Sequence, residues 1–442
     1  MMTQGQSRSK LLVKNVMASF AVKGWSALIV LLMVPLTLKM LGVYLNGAWL
    51  AISGVLVWID LMDIGLGNGL RNAVAEYIAH DDTYKVKEAV SSTFFMLAVI
   101  VIPLFLLLLA AIHFFDMYTA FGIDPAFFPD LKTVLIVALS LTCGTFILKC
   151  VGNFYMGLQL PAVNNFIICI GQTLALILTA LFYFLGSRSV LVVVVINTLS
   201  PLLVWAVSAI YTFRKKYPQY SPSFRHVNLK MTRDLCSTGV QFFILQICGV
   251  ILLASTNIII SKLFSPAEVT PYQIVYRYFS IVLVVFNAIC LPFWNATTDA
   301  YTRNDMAWIH QAGRRLNMIV GVAFILLALM VLVAPPVYRL WVGSEVQIPA
   351  SLSASMALYI FILIASFRFS YILNGINVLR IQLVFTLIAT VIFIPLAWMA
   401  CKFGGTTTHL VLVMCAVQCP GLIANMWKCH QVFHQKHAHD NE

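Results

Sequence analysis

The sequence predicts an all-α polytopic membrane protein with about 12 transmembrane helices in two six-helix lobes. Of its 442 residues, 61% are hydrophobic and only 10% are Asp, Glu, Lys or Arg, whereas a soluble chain carries about 25% charged residues. The mean hydropathy is +0.91. Apolar stretches long enough to cross about 30 Å of hydrocarbon recur along the whole chain. These observations exclude a soluble globular protein.

Twelve apolar runs, each bounded by charges or by Pro and Gly, predict the individual spans. Runs such as 99–111 are apolar on every side, which is typical of a membrane helix and not of an alternating barrel strand. In chain order the predicted spans are 16–38, 43–66, 89–112, 133–155, 162–186, 189–211, 238–261, 272–297, 317–338, 349–372, 381–401 and 407–427.

A basic stretch at the midpoint of the chain divides the spans into two sets of six. The predicted organisation is an N-terminal lobe (1–212), a basic cytoplasmic linker (213–232), a C-terminal lobe (233–428) and a cytoplasmic tail (429–442). Equal span counts are typical of transporters built from two repeats, with the binding site between the halves.

Lys and Arg set the predicted orientation. The loops on the side of the N-terminus carry about three times as many of these residues as the opposite loops, which places both termini in the cytoplasm. The same bias accounts for the formal net charge of +12, so no nucleic-acid partner is expected.

The ten cysteines form no C-x-x-C pair, and we expect no metal site.

Four cations fall inside the predicted spans, namely Lys23, Lys149, Arg277 and Arg368. Polar residues repeat at helical spacing beside the first three of them. Such groups usually face a bundle interior or a water-filled cavity, and an excess of cations there favours an anionic solute with phosphate oxygens. A second interpretation stays open, in which cations near span ends reach the headgroups and small polar residues help helices to pack.

Asp60 and Asp63 are the carboxylates of the second predicted span. They either neutralise Lys23 in an ion pair or carry a coupling proton or sodium ion; no other cofactor is expected.

The glycines at 65, 67 and 69 follow a membrane helix instead of a β-strand, which argues against a nucleotide loop. They predict a turn followed by an amphipathic segment, Leu70–Tyr77. The chain has no Walker A sequence.

Residues 47–54 (GAWLAISG) and 63–72 (DIGLGNGLRN), with Ala75 and Glu76, resemble bacterial polysaccharide-biosynthesis membrane proteins. These are Wzx-type O-antigen flippases of the multidrug/oligosaccharidyl-lipid/polysaccharide (MOP) exporter superfamily, which also contains the MATE transporters. The resemblance implies two six-helix lobes in a V around a cavity that opens alternately to each side. It also implies an undecaprenyl-diphosphate-linked oligosaccharide as substrate, the bacterial inner membrane as location and polysaccharide polymerase machinery as a partner.

The resulting hypothesis gives each candidate residue a role in binding and none in catalysis. Lys23, Lys149 and Arg368 would hold the diphosphate and pass it toward Arg277, while the glycan would contact Gln273, Tyr276 and Asn287. The alternative is a cation-coupled multidrug exporter of the same fold. A third interpretation, a membrane-embedded glycosyltransferase, would need catalytic carboxylates in the outer loop His113–Asp130; we expect a transporter and not an enzyme.

Overall fold

The computed structural model describes residues 4–59, 65–232, 255–303, 305–376, 378 and 380–439. Within these residues every regular element is a helix. In chain order the main helices are α1 (Gln4–Ile59), α2 (Leu66–Ala79), α3 (Thr83–Phe114), α4 (Met117–Phe121), α5 (Leu131–Leu148), α6 (Cys150–Gly157), α7 (Pro161–Phe184), α8 (Val190–Tyr211), α9 (Pro266–Thr302), α10 (Met306–Val342), α11 (Ala350–Gly375), α12 (Arg380–Lys402) and α13 (Thr407–His439).

Helix α1 contains the first two predicted spans. Its backbone leaves the helical conformation at Gly42, with φ of 73° and ψ of 175°. A positive φ of this size costs little at glycine because it has no Cβ. The apolar stretch Val22–Ile59 has 38 residues, about twice the 20 that one crossing requires. Gly42 therefore lies at the predicted boundary between two crossings.

Ten helices in the described part of the chain are long and apolar enough to cross a membrane. The first contains two predicted spans and the other nine each match one. The remaining predicted span, 238–261, lies outside the described residues apart from a helical stretch that begins at residue 255. The twelve-helix layout is consistent with this set, and the all-α polytopic membrane fold is confirmed.

By its internal contacts the chain forms two compact units, Met1–Phe243 and Ile244–Glu442. In the first unit α1 packs on α7, α5 on α8, and α7 on α8. Its core is apolar and aromatic, with Ile52, Leu70, Val90 and Phe154 at 0% exposure. The second unit has α11 at its centre, in contact with α9, α10 and α13. The predicted lobe, linker and tail boundaries stay a prediction.

Helix α2 is the amphipathic segment predicted at Leu70–Tyr77, although it begins earlier, at Leu66. Gly65 starts it with a left-handed φ of 80°. Leu66, Leu70 and Val74 are fully buried, and α2 packs on α3 and α6. At Gly157 of α6 an added Cβ would come within 2.7 Å of the Val74 Cβ. Glycine is therefore needed where α6 meets α2.

Aspartates cap the N-termini of two membrane helices. Asp82 accepts a hydrogen bond from the Lys85 amide at 3.0 Å before α3, and Asp305 accepts one from the Trp308 amide at 2.9 Å before α10. Such caps satisfy amides that have no partner within the helix. The hydrogen bond from the Lys85 amide lowers the pKa of the Asp82 carboxyl below its ordinary value.

Candidate functional site

In the first unit, Lys23 lies on an exposed turn of α1. Two residues later the Trp25 Nε1 donates to the Thr173 hydroxyl at 3.2 Å, which fixes this turn against α7. No described carboxylate forms an ion pair with Lys23. Its proposed partners Asp60 and Asp63 lie outside the described residues, so their predicted pairing or coupling role stays a prediction.

Lys149 occupies a break inside the apolar stretch Leu131–Gly157. Helix α5 ends at Leu148 and α6 begins at Cys150, with Lys149 half-buried between them. The Lys149 amide still donates to the Thr145 carbonyl at 2.9 Å. Just beyond the break, a Cβ at Gly152 would lie 2.1 Å from the Asn164 Oδ1 and 2.8 Å from the Trp205 ring. Close packing therefore holds the chain on the C-terminal side of this lysine.

In the second unit, Gln273, Tyr276 and Arg277 occupy adjacent turns of α9. The Gln273 amide donates to the Asn257 Oδ1 at 2.6 Å, and the Tyr276 ring stacks on Tyr272 with an interplanar angle of 12°. Arg277 is half-buried, and its guanidinium forms no hydrogen bond or ion pair with a described residue. The three predicted side chains thus lie together, with Arg277 as the unneutralised member.

Arg277 lies deeper in its span than the sequence predicts. The predicted span started at residue 272, whereas α9 starts at Pro266. The reason is a cap: the Ser265 hydroxyl accepts from the Ala267 amide at 3.1 Å, and proline is favoured in a first helical turn. The earlier start places Arg277 about three turns from the beginning of α9, which runs to Thr302.

Arg368 on α11 is a buried arginine, with 8% of its surface exposed. One terminal nitrogen reaches the Gly313 carbonyl at 3.4 Å, and the guanidinium carbon lies 4.0 Å from the centre of the Phe369 ring. Its Nε is buried with no acceptor, and no described carboxylate pairs with it. A buried charge is normally paired because desolvation is costly, so this environment suits an incoming anion.

Asn287 connects α9 to α11. Its Oδ1 accepts a hydrogen bond from the Tyr371 hydroxyl at 2.9 Å, and its amide nitrogen donates to no described residue. Tyr371 lies one helical turn after Arg368 on the same side of α11. The structure therefore brings Asn287, Tyr371 and Arg368 to neighbouring turns of two packed helices. Sequence reasoning missed Tyr371, which its spacing of three from Arg368 could have indicated.

The described spans contain two carboxylates that the predicted boundaries excluded. Glu88 accepts from the Asn228 amide nitrogen at 2.7 Å, and Glu268 accepts from the Thr407 hydroxyl at 3.1 Å. Both lie within the first two turns of their helices, α3 and α9. Neither forms an ion pair with Arg368 in the described part of the chain.

Residues 12–291 match the family described as polysaccharide biosynthesis protein. This chain belongs to that family. The resemblance seen in the sequence is thereby confirmed, and the matched range covers all of the first unit's helices from α2 onward and most of α9. No residue of the predicted site is assigned by the match.

Two curated relatives, each provisionally named an O-antigen transporter, are similar to this member of the polysaccharide biosynthesis family. The protein from Salmonella typhi is 24% identical over 79% of this chain and 80% of its own length. The one from Salmonella typhimurium strain LT2 is 21% identical over 66% of this chain and 65% of its own length.

Solved structures show the same fold. An inward-facing multidrug resistance MATE family transporter of the MOP superfamily has a TM-score of 0.76 at 16% identity, over 95% of this chain and 99% of that one. A MATE transporter of Vibrio cholerae has a TM-score of 0.66 at 13% identity, over 97% and 98% of the two chains. The chain therefore has the MATE fold, and its family and fold are those of transporters, not enzymes.

Proposed function

We propose that this protein is a flippase for an undecaprenyl-diphosphate-linked oligosaccharide, an O-antigen unit or another surface polysaccharide unit. It would move this substrate from the cytoplasmic to the periplasmic leaflet of the bacterial inner membrane by alternating access, with both termini in the cytoplasm. A proton or sodium gradient is the proposed energy source, and polysaccharide polymerase machinery would take the delivered unit.

The observation that carries this proposal is a pair of arginines in the second unit that have no carboxylate partner among the described residues. Arg368 is buried with an unsatisfied Nε, and Arg277 lies about three turns into α9 with no described anionic partner. Guanidinium groups bind phosphate oxygens through paired, charge-assisted hydrogen bonds. A diphosphate would supply the negative charge that no described carboxylate places beside Arg368.

Neighbouring polar groups support a contact with sugar hydroxyls. The free amide nitrogen of Asn287 and the rings of Tyr276 and Tyr371 lie on the same helices as the two arginines. Amide groups and aromatic faces are suitable partners for a glycan. In this proposal Lys23 and Lys149 of the first unit make the earlier contacts with the diphosphate.

A multidrug exporter of the same fold is the alternative, because solved structures with this fold are titled as multidrug resistance transporters. A transporter of cationic drugs would use an intramembrane carboxylate. Glu88 and Glu268, the carboxylates of the described spans, lie close to helix ends and are already hydrogen-bonded. This placement favours the anionic substrate.

The test is flipping of a fluorescent undecaprenyl-diphosphate oligosaccharide by purified protein in liposomes, with and without a proton or sodium gradient. We expect Arg277→Gln and Arg368→Gln each to slow flipping about 10- to 100-fold, the loss of one charged hydrogen-bonding partner. Arg277→Lys tests whether charge alone suffices, and Lys132→Gln, at an exposed loop-side position, is the control.

Two results would contradict the proposal. Full flipping by both glutamine variants would remove the arginines from the mechanism. Transport of a small organic cation without flipping of the lipid-linked glycan would favour the drug exporter.

A further inference from the structure

The basic segment that follows α8 in the first unit is fixed to α3, and we call residues 221–232 the docked segment. The Ser223 amide donates to the Ser91 hydroxyl at 3.0 Å, and the Asn228 amide donates to the Ser92 hydroxyl at 2.8 Å. The Asn228 side chain also donates to Glu88 at 2.7 Å. A predicted connector is thus held along the first three turns of a membrane helix.

Asn228 also starts the next helix. Its Oδ1 accepts from the Lys230 amide at 2.9 Å, the hydrogen bond of an N-cap, and residues 229–232 are helical. This geometry fixes Leu229 and Lys230 on the first turn, where both are exposed. Leu229 has 65% of its surface open.

Ring contacts show how deep the docked segment lies along α3. The His226 ring meets Tyr84 at 5.6 Å, on the first turn, whereas the Phe224 ring meets Phe95 edge-on at 6.4 Å. Phe95 lies about 10 Å farther along the helix axis than Glu88 at 1.5 Å per residue. From residue 89 to the end of α3 the helix has no Asp, Glu, Lys or Arg. Phe224 is therefore level with the apolar part of α3.

Phe224 nevertheless has 86% of its surface exposed. Arg225 next to it and Lys230 are exposed as well. The surrounding stretch 211–232 contains Arg214, Lys215 and Lys216 but no Asp or Glu. The surface combines an exposed aromatic ring, level with the apolar part of α3, with exposed cations nearer the start of that helix. This pattern is typical of a segment that lies in a membrane interface.

We propose that the docked segment binds the surface of anionic phospholipids, with Phe224 inserted among the acyl chains and Arg225 and Lys230 on the headgroup phosphates. The lipid supplies both the apolar environment for the exposed ring and the negative charge that the segment lacks. This anchor is independent of the transported substrate.

Photocrosslinking tests the depth of Phe224. The full-length protein carrying p-benzoylphenylalanine at position 224 is reconstituted in phosphatidylcholine vesicles that contain phosphatidylglycerol. We expect covalent lipid adducts by mass spectrometry at position 224 and none with the same probe at Gln219, an exposed position in the preceding turn. Absence of lipid adducts at 224, or equal adducts at both positions, would overturn the insertion.

Charge substitution tests the headgroup contact. Each basic residue near a membrane surface contributes about a fivefold preference for anionic lipid. Arg225→Gln with Lys230→Gln should lower the ratio of phosphatidylglycerol to phosphatidylcholine adducts accordingly. The control pair is Lys132→Gln, in the first turn of α5, with Arg188→Gln, in the loop before α8. Both residues are exposed, and this pair should leave the ratio unchanged.

An unchanged ratio in the Arg225 and Lys230 variant would overturn the preference for anionic lipid. Crosslinks from position 224 to another protein in native membranes, in place of lipid, would show a protein partner and overturn the proposal. Thermal unfolding in detergent verifies that each variant is folded. Loss of lipid adducts with normal flipping would refute the anchor alone and leave the proposed transport function intact.

Discussion

The two units hold their candidate cations in different ways. In the first unit Lys23 is exposed, and Lys149 is half-buried between α5 and α6. In the second unit Arg277 and Arg368 project from continuous helices, and Arg368 is held by the Gly313 carbonyl and the Phe369 ring. We therefore expect adaptable contacts at Lys23 and a fixed guanidinium at Arg368.

Replacing the buried cation gives the largest expected effect. Arg368→Met keeps a flexible unbranched side chain and removes a desolvated charge that has no described carboxylate partner, so we expect stabilisation of about 1–4 kcal/mol together with loss of flipping. Lys23→Met removes a solvated charge and should change stability by less than about 0.5 kcal/mol. Unfolding in detergent and the liposome assay measure the two properties. Equal stability changes in both variants would abolish the proposed distinction between the units.

Glycine substitutions probe packing in each unit. Gly152→Ala places a Cβ against Asn164 and Trp205 near Lys149, and such overpacking should destabilise the protein by about 1–3 kcal/mol. Gly321→Ala on α10 is the matched control, because an added Cβ there has nothing within 4 Å. It should stabilise the helix by about 0.5–1 kcal/mol. A neutral Gly152→Ala, measured by thermal unfolding, would show that the region around the break can readjust.

The smallest effect concerns pH and the cap of α3. Because the folded protein lowers the pKa of Asp82, the carboxylate contributes stability at pH values above its ordinary 3.8, and the contribution is lost as pH falls through the lowered pKa. The hydrogen-exchange protection factors at the start of α3, taken relative to the intrinsic exchange rate at each pH, should therefore fall in acid. In Asp82→Asn the cap of α3 should persist and its stability should no longer depend on pH. In Asp82→Ala the first turn of α3 should fray at every pH. The same acid response in Asp82→Asn would assign it to another group.

Much of the fold can be predicted from the sequence, because a long apolar run by itself indicates a membrane helix. Gly42 and the glycines from 65 to 69 also indicated where helices end, since glycine tolerates positive φ. The docked segment could not be predicted, because Asn228 contacts Glu88 and Ser92 across more than a hundred residues of chain. The close packing at Gly152 likewise involves Asn164 and Trp205, which come from other helices.

The sequence predicted which residues belong to the candidate site but not how these residues are arranged in space. Spacing placed Gln273 and Arg277 on one side of α9, and the structure agrees. That Arg368 is buried against Gly313 and an aromatic ring, with an unsatisfied Nε, depends on how α10 and α11 pack. Sequence gives no measure of such burial, so it could not separate this arginine from a cation that reaches the headgroups.

Gly42 joins the first two crossings through a single residue of non-helical backbone. A connection of one residue has little conformational freedom. A rigid tilt of the stretch before Gly42 must either carry residues 43–59 with it or be absorbed by the φ and ψ angles of one glycine. We therefore expect a longer loop inserted at Gly42 to uncouple the movements of the two helical stretches on either side of it.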